Sequence, residues 1–156
     1  MSYSKVAVVE IGSNSSKLLI AERSASGQII PSFEDTIPCR ISNGISTDKQ
    51  FSLSAETISK IIDVISNFLK IIQEQDVNRV VVVGTEALRK ASNTPLLTDM
   101  IYQKFGFELK VLSGIEEAEA IALGICSDSN LKNISHFQAF DLGGGSLEVF
   151  EVFEKK

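Results

Sequence analysis

Little in this sequence suits sulfur or imidazole chemistry. Cys39 and Cys126 are the only cysteines, they lie far apart, and neither has metal-ligand spacing around it. His136 is the single histidine, which excludes a zinc site built from the usual ligands. Both cysteines read as reduced, small core residues of a cytoplasmic protein. No apolar run approaches the roughly 18 residues needed to span a bilayer. Met1 to Lys5 runs straight into a strand pattern, without the charged and apolar regions of a signal peptide. No membrane partner is expected. Positive charge is also short, since 15 Lys and Arg against 20 Asp and Glu leave a net charge of −5. That balance argues against a protein that grips nucleic acid through a general basic field. A local anion site stays open, because backbone N–H groups bind phosphate without net positive charge.

What is present is core-forming material. With 156 residues and 44% hydrophobic content, the chain can build one domain, or one domain and part of another. Residues 6–11 read as a buried strand, Gly12-Ser13-Asn14-Ser15 as a tight turn, and Lys17 to Glu22 as the returning strand of a hairpin. A third strand falls within Ile29–Pro38, and a loop follows around Gly44. Ser54 caps a long helix whose Ile58, Ile61, Ile62, Ile65, Phe68, Leu69 and Ile72 repeat at helical spacing. The β-branched run from Arg79 to Val83 suits a central parallel strand. Thr94 as cap and Pro95 at the first position open a second helix running to Gly106. Glu108–Leu112 is a strand, and the capping box from Ser113 to Glu116 starts a third helix through about Ile125.

Three strands followed by alternating helices and strands imply an α/β sheet of mixed direction. The polar stretch 127–136 is the candidate junction, dividing a first domain, 1–126, from the start of a second, 137–156. The second piece holds two strands, Phe137–Leu142 and Leu147–Phe153, around another glycine turn. A lone hairpin is marginal in water. The apolar side chains of this one therefore imply pairing with a second copy, a homo-oligomer.

Two segments repeat one pattern. Val8-Val9-Glu10-Ile11-Gly12-Ser13-Asn14-Ser15 lies over Ala139-Phe140-Asp141-Leu142-Gly143-Gly144-Gly145-Ser146. Each is an apolar strand, then a carboxylate, then a Gly/Ser turn. Small residues let backbone N–H groups approach a phosphate, and serine hydroxyls add donors. An acid at the strand end can hold a divalent cation or a water. A glycine-closed hairpin explains one such turn but does not require the acid in both.

These residues resemble the exopolyphosphatase and guanosine pentaphosphate phosphohydrolase (Ppx/GppA) family, within the actin, sugar-kinase and heat-shock ATPase superfamily. Glu10 to Ser15 is similar to its first phosphate motif. Gly84-Thr85-Glu86-Ala87-Leu88-Arg89 is similar to the block after its central strand. Ser113 to Ala118 resembles its catalytic-helix block, and Asp141 to Glu148 its second phosphate motif. The resemblance implies an actin-like, ribonuclease H-like mixed sheet flanked by helices, plus the first hairpin of a second such domain. It also implies Mg²⁺-assisted hydrolysis of a terminal phosphoanhydride in polyphosphate or pppGpp, with this chain as the N-terminal part and inactive alone.

The resemblance assigns Glu117 as general base for the attacking water; the bland alternative is a first-turn acid serving the helix dipole. Glu116 reads as the structural capping-box partner. Gly12, Ser13, Asn14, Ser15, Gly143, Gly144, Gly145 and Ser146 are the phosphate-binding set, joined by Arg89, which could equally be a solvated helix arginine. Arg40 matches a basic family position. Glu10, Asp141 and Glu148 are the metal-site acids, Glu148 having a solvent-facing strand alternative. Two positions depart from the family pattern, Glu10 standing where Asp is usual and Glu119 where Arg is usual. These departures favour a rival reading, a non-catalytic (p)ppGpp or phosphate sensor. A third, an ATP-dependent kinase, would need an adenosine pocket in a second domain.

Overall fold

Strand alternation sets the sheet. The structure, a computed structural model, describes residues 5–41, 51–131, 133–144 and 147–153; the loop read around Gly44 lies outside them. β1 (Lys5–Ile11) and β2 (Ser15–Arg23) form the expected hairpin, and β3 (Ile29–Pro38) pairs antiparallel with β2. β4 (Arg79–Gly84) and β5 (Leu109–Val111) then add in parallel beside β1, giving the order β3-β2-β1-β4-β5. The mixed direction read from the sequence is present.

The core lies on one face of this sheet. Ala7, Val9 and Ile11 of β1 and Leu18 and Ile20 of β2 are all at most 1% exposed. They meet α1 (Ala55–Gln73), which buries Ile58, Ile61, Ile62, Ile65, Phe68 and Ile72. Each such side chain contributes roughly 1.5–3 kcal/mol on leaving water. Ser54 caps α1 as expected, its hydroxyl accepting from the Thr57 N–H. The opposite parity of β1 and β2 puts Glu10 and Lys17, direct cross-strand partners, on the other face.

Two local readings are refined. A short helix, α2 (Glu86–Lys90), follows β4 and carries Arg89, in keeping with the helical alternative for that residue, although the apolar pattern marks no helix there. Thr94 does not cap α3 (Thr94–Phe105) but is its first residue, with its hydroxyl donating to the Leu88 carbonyl at 2.6 Å. Asn93 takes the cap position, yet its side chain bonds both backbone groups of Leu53 instead. Tertiary partners outbid the local cap for both side chains.

α4 (Gly114–Cys126) opens with the capping box, since Ser113 Oγ accepts from the Glu116 N–H and the Ser113 N–H donates to Glu116. The junction 127–136 contains one 3₁₀ turn, Ser129–Leu131. β6 (His136–Leu142) and β7 (Leu147–Phe153) form a separate antiparallel pair, with α4 packed along β7. Among the described residues no helix is long and apolar enough to cross a membrane.

Candidate active site

The ends of β1 and β6 carry the two acid–glycine turns, and the fold brings them together. Gly12 N–H donates to the Ser15 carbonyl at 3.1 Å, closing the first turn. A Cβ on Gly12 would stand 2.8 Å from that same backbone oxygen, so only glycine fits without opening the turn. The second turn arrives opposite. A Cβ on Gly144 would come within 2.6 Å of the Asn14 side-chain amide, so the two turns touch. The Asn14 carbonyl in turn accepts from the N–H groups of Cys39 and Arg40, at 2.9 and 2.8 Å, tying the first turn to the end of β3.

Between the turns lies a polar cleft of about 130 Å³. Glu10, Gly12, Ser13, Asn14, Ser15, Glu117, Asp141, Gly143, Gly144 and Glu148 all line it, drawn from four separate parts of the chain. Gly145 and Ser146 lie outside the described residues. Glu148 sits opposite Asp141 across β6 and β7 and is 9% exposed, so it is not a solvent-facing strand residue.

Arg89 and Arg40 are placed differently. The Arg89 guanidinium does not line the cleft; its Nη1 donates to the Leu112 carbonyl at 2.7 Å and to Glu117 Oε2 at 2.9 Å. Arg40 is exposed, has a φ of 46°, and borders a different groove with Ser54 and Lys60. Glu116 turns away from the cleft, where hydrogen bonds from Lys110 and then from Ser113 hold its carboxyl down to about 2. Glu119 is exposed and outside the cleft, so the missing family arginine leaves no gap in this lining.

Four lining residues, Lys17, Thr85, Glu86 and Leu142, escaped the sequence reading of the site. Lys17 could have been found from its register opposite Glu10, because cross-strand partners share a face. Thr85 and Glu86 follow the end of β4, where open α/β sheets gather ligand groups. Glu86 is 7% exposed and ion-paired to Lys90.

The cleft is rich in negative charge. Glu117 is ion-paired to Arg89 at 2.9 Å and Glu86 to Lys90, whereas Lys17 Nζ stands 4.0 Å from Glu10. Burial pushes the Glu10 carboxyl above its ordinary range; Lys17 opposes this, and the charges of Glu117 and Asp141 add to it. An ionised Glu10 therefore works against folding. A raised folded-state pKa means that the relative benefit of the neutral form is absent where both states are protonated, and is complete above the folded-state value. Glu10→Gln is accordingly expected to raise the melting temperature in metal-free buffer near pH 7, with the gain fading as pH falls into the ordinary carboxylate range. Melting curves from pH 4 to 8 check this, and a gain that grew toward acid would contradict it.

The model of the Ppx/GppA phosphatase family matches residues 19–156. A guanosine-5'-triphosphate,3'-diphosphate pyrophosphatase of Vibrio vulnificus is 30% identical over 152 residues, covering 96% of this chain and 30% of that protein. A Haemophilus influenzae protein, provisionally named an exopolyphosphatase, is 27% identical and is covered over 43% of its length. Among solved structures, the Aquifex aeolicus Ppx/GppA family member superposes with a TM-score of 0.83 at 26% identity, over 99% of this chain and 49% of that one. The chain thus spans between about a third and a half of the length of these relatives.

Proposed function

Because this chain belongs to the Ppx/GppA phosphatase family, we propose that it supplies the first actin-like lobe and the opening of the second in a two-lobed phosphohydrolase. Its substrate is polyphosphate or pppGpp, and the bond broken is a terminal phosphoanhydride. The observation that carries this reading is the meeting of both acid–glycine turns with Glu117 in one cleft. The Gly12 N–H closes its own turn, so the N–H groups and hydroxyls of residues 13–15 and, by sequence, of residues 143–146 are those that suit phosphate oxygens. Glu117 would accept a proton from the attacking water, and phosphoryl transfer asks for orientation and electrostatics more than for a covalent nucleophile.

Mg²⁺ fits the donor set. The cleft offers carboxylate oxygens from Glu10, Asp141 and Glu148 with amide and hydroxyl oxygens from Asn14, Ser13 and Thr85, which hard cations prefer. Among the described residues no three acids converge as a metal-holding group, so water would complete the shell, as Mg²⁺ commonly retains. When bound, the cation would offset phosphate charge in a cleft whose own acids repel a polyanion.

The exposed position of Glu119 weakens the sensor reading. Phosphate release from polyphosphate and from pppGpp, measured with Mg²⁺ on a two-lobed protein carrying this chain, tests the proposal. Tight binding without release would favour the sensor. We place the protein in the cytoplasm, without membrane or nucleic-acid partners, on the composition and charge given above.

A homo-oligomer is part of this reading. One face of the β6–β7 hairpin carries Phe140, Leu142, Leu147, Val149 and Phe153, each between 56% and 80% exposed. Burying each against a second copy would gain roughly 1.5–3 kcal/mol. The 156-residue chain is expected to be dimeric or larger by light scattering, and a chain ending near Ser127 monomeric. A monomeric full chain would show that this face does not pair.

A further inference from the structure

We propose that Arg89 is a positioning residue, holding the Glu117 carboxylate for the attacking water rather than binding phosphate itself. This rests on the hydrolase reading above. α4 carries Glu117 in its first turn, yet none of its described residues is buried. Little packing therefore fixes where that turn sits. Its start is tied to the sheet by the Leu112 N–H, which donates to the Gly84 carbonyl at 2.9 Å. Lys110 of β5 adds an exposed ion pair to Glu116 at 2.8 Å, and Arg89 supplies a more buried tie that reaches two points at once. One nitrogen, Nη1, bonds the Leu112 carbonyl just before α4 and the Glu117 carboxylate within it.

The opposing force is also present. Glu117 and Glu10 repel each other across the cleft, and Glu117 is only 13% exposed, with little water to spread its charge. A guanidinium beside Glu117 cancels that repulsion and fixes which way the carboxylate points. Turning Arg89 to a phosphate would break both bonds and leave Glu117 desolvated without its cation. The guanidinium is also absent from the cleft lining, whereas the side chain it holds is present.

A double-mutant cycle separates positioning from phosphate binding. In a two-lobed protein carrying this chain, Arg89→Met is expected to lower kcat for tripolyphosphate with Mg²⁺ by at least about tenfold, the scale of a misplaced catalytic group. KM should stay within about twofold, as uniform binding is untouched. Combined with Glu117→Gln, it should add no further loss. Arg89→Lys keeps the charge without the two-point reach and should recover only part of the rate. A KM rise that accounts for the loss, or a loss that multiplies with Glu117→Gln, would overturn the proposal in favour of direct phosphate contact.

A readout independent of activity keeps the proposal separable from the hydrolase reading. In the 156-residue chain, Arg89→Met should speed amide exchange at Glu117 and Ala118 while leaving β1 and α1 protected. Unchanged exchange in α4 would overturn it, whatever the enzyme does.

Discussion

Glu117→Gln, in a two-lobed protein carrying this chain, is expected to slow release of terminal phosphate by about a hundredfold or more, the usual scale for a lost general base. Glutamine keeps the shape of the side chain and an oxygen for Arg89 to bond, so the 2.9 Å link to α2 has a substitute. What it loses is the capacity to accept a proton. On the proposed reading the two glycine turns hold the substrate and the substitution does not touch them, so KM should change little while kcat falls. Because Gln also removes one negative charge from an acidic cleft, polyanion binding should tighten slightly if it moves at all. Steady-state phosphate release checks both quantities, and a near-normal kcat would remove Glu117 from the mechanism.

Periodicity made most of the frame legible. β1, β4 and α1 are long enough to show unbroken apolar patterns, and the Ser113–Glu116 box announces α4 by its own side chains. The repeated acid–glycine pattern also exposed the two turns, because a phosphate site needs small residues and an acid at fixed spacing. What stayed hidden depends on contacts distant in sequence. α2 has only five residues, too few to display a helical period. Asn93 and Thr94 are drawn to Leu53 and Leu88, partners that the local cap signal cannot reveal. The Arg89–Glu117 bond joins the end of α2 to the start of α4, and no motif spacing encodes it. Alternation alone leaves Glu148 open between strand surface and site, because it does not say which hairpin face is covered. Its 9% exposure reflects the position of that hairpin, with α4 along β7 and the cleft at the strand end.

The purified 156-residue chain is expected to hydrolyse tripolyphosphate or pppGpp at least about a hundredfold more slowly than a two-lobed protein carrying it, since catalysis of this kind depends on donors fixed in place before reaction. The walls of the cleft differ in support. Glu10 and residues 12–15 grow from a five-stranded sheet backed by α1, with Val9, Ile11 and Phe68 fully buried beneath them. Asp141, Gly143, Gly144 and Glu148 grow from a two-stranded pair whose other face leaves Leu142 80% and Phe153 66% exposed. A pair of strands is marginal alone, so the second turn can shift by more than the ångström that costs about a hundredfold in rate. Water also reaches that wall from its uncovered side, which weakens each charge interaction within the cleft. Binding should survive better than turnover, because the first turn keeps its sheet. Phosphate release by the chain with Mg²⁺, measured beside a two-lobed protein at equal concentration, tests this. Robust Mg²⁺-dependent turnover by the chain alone would show that the hairpin is held firmly enough without further cover, and that the first lobe with these two strands already makes a complete site.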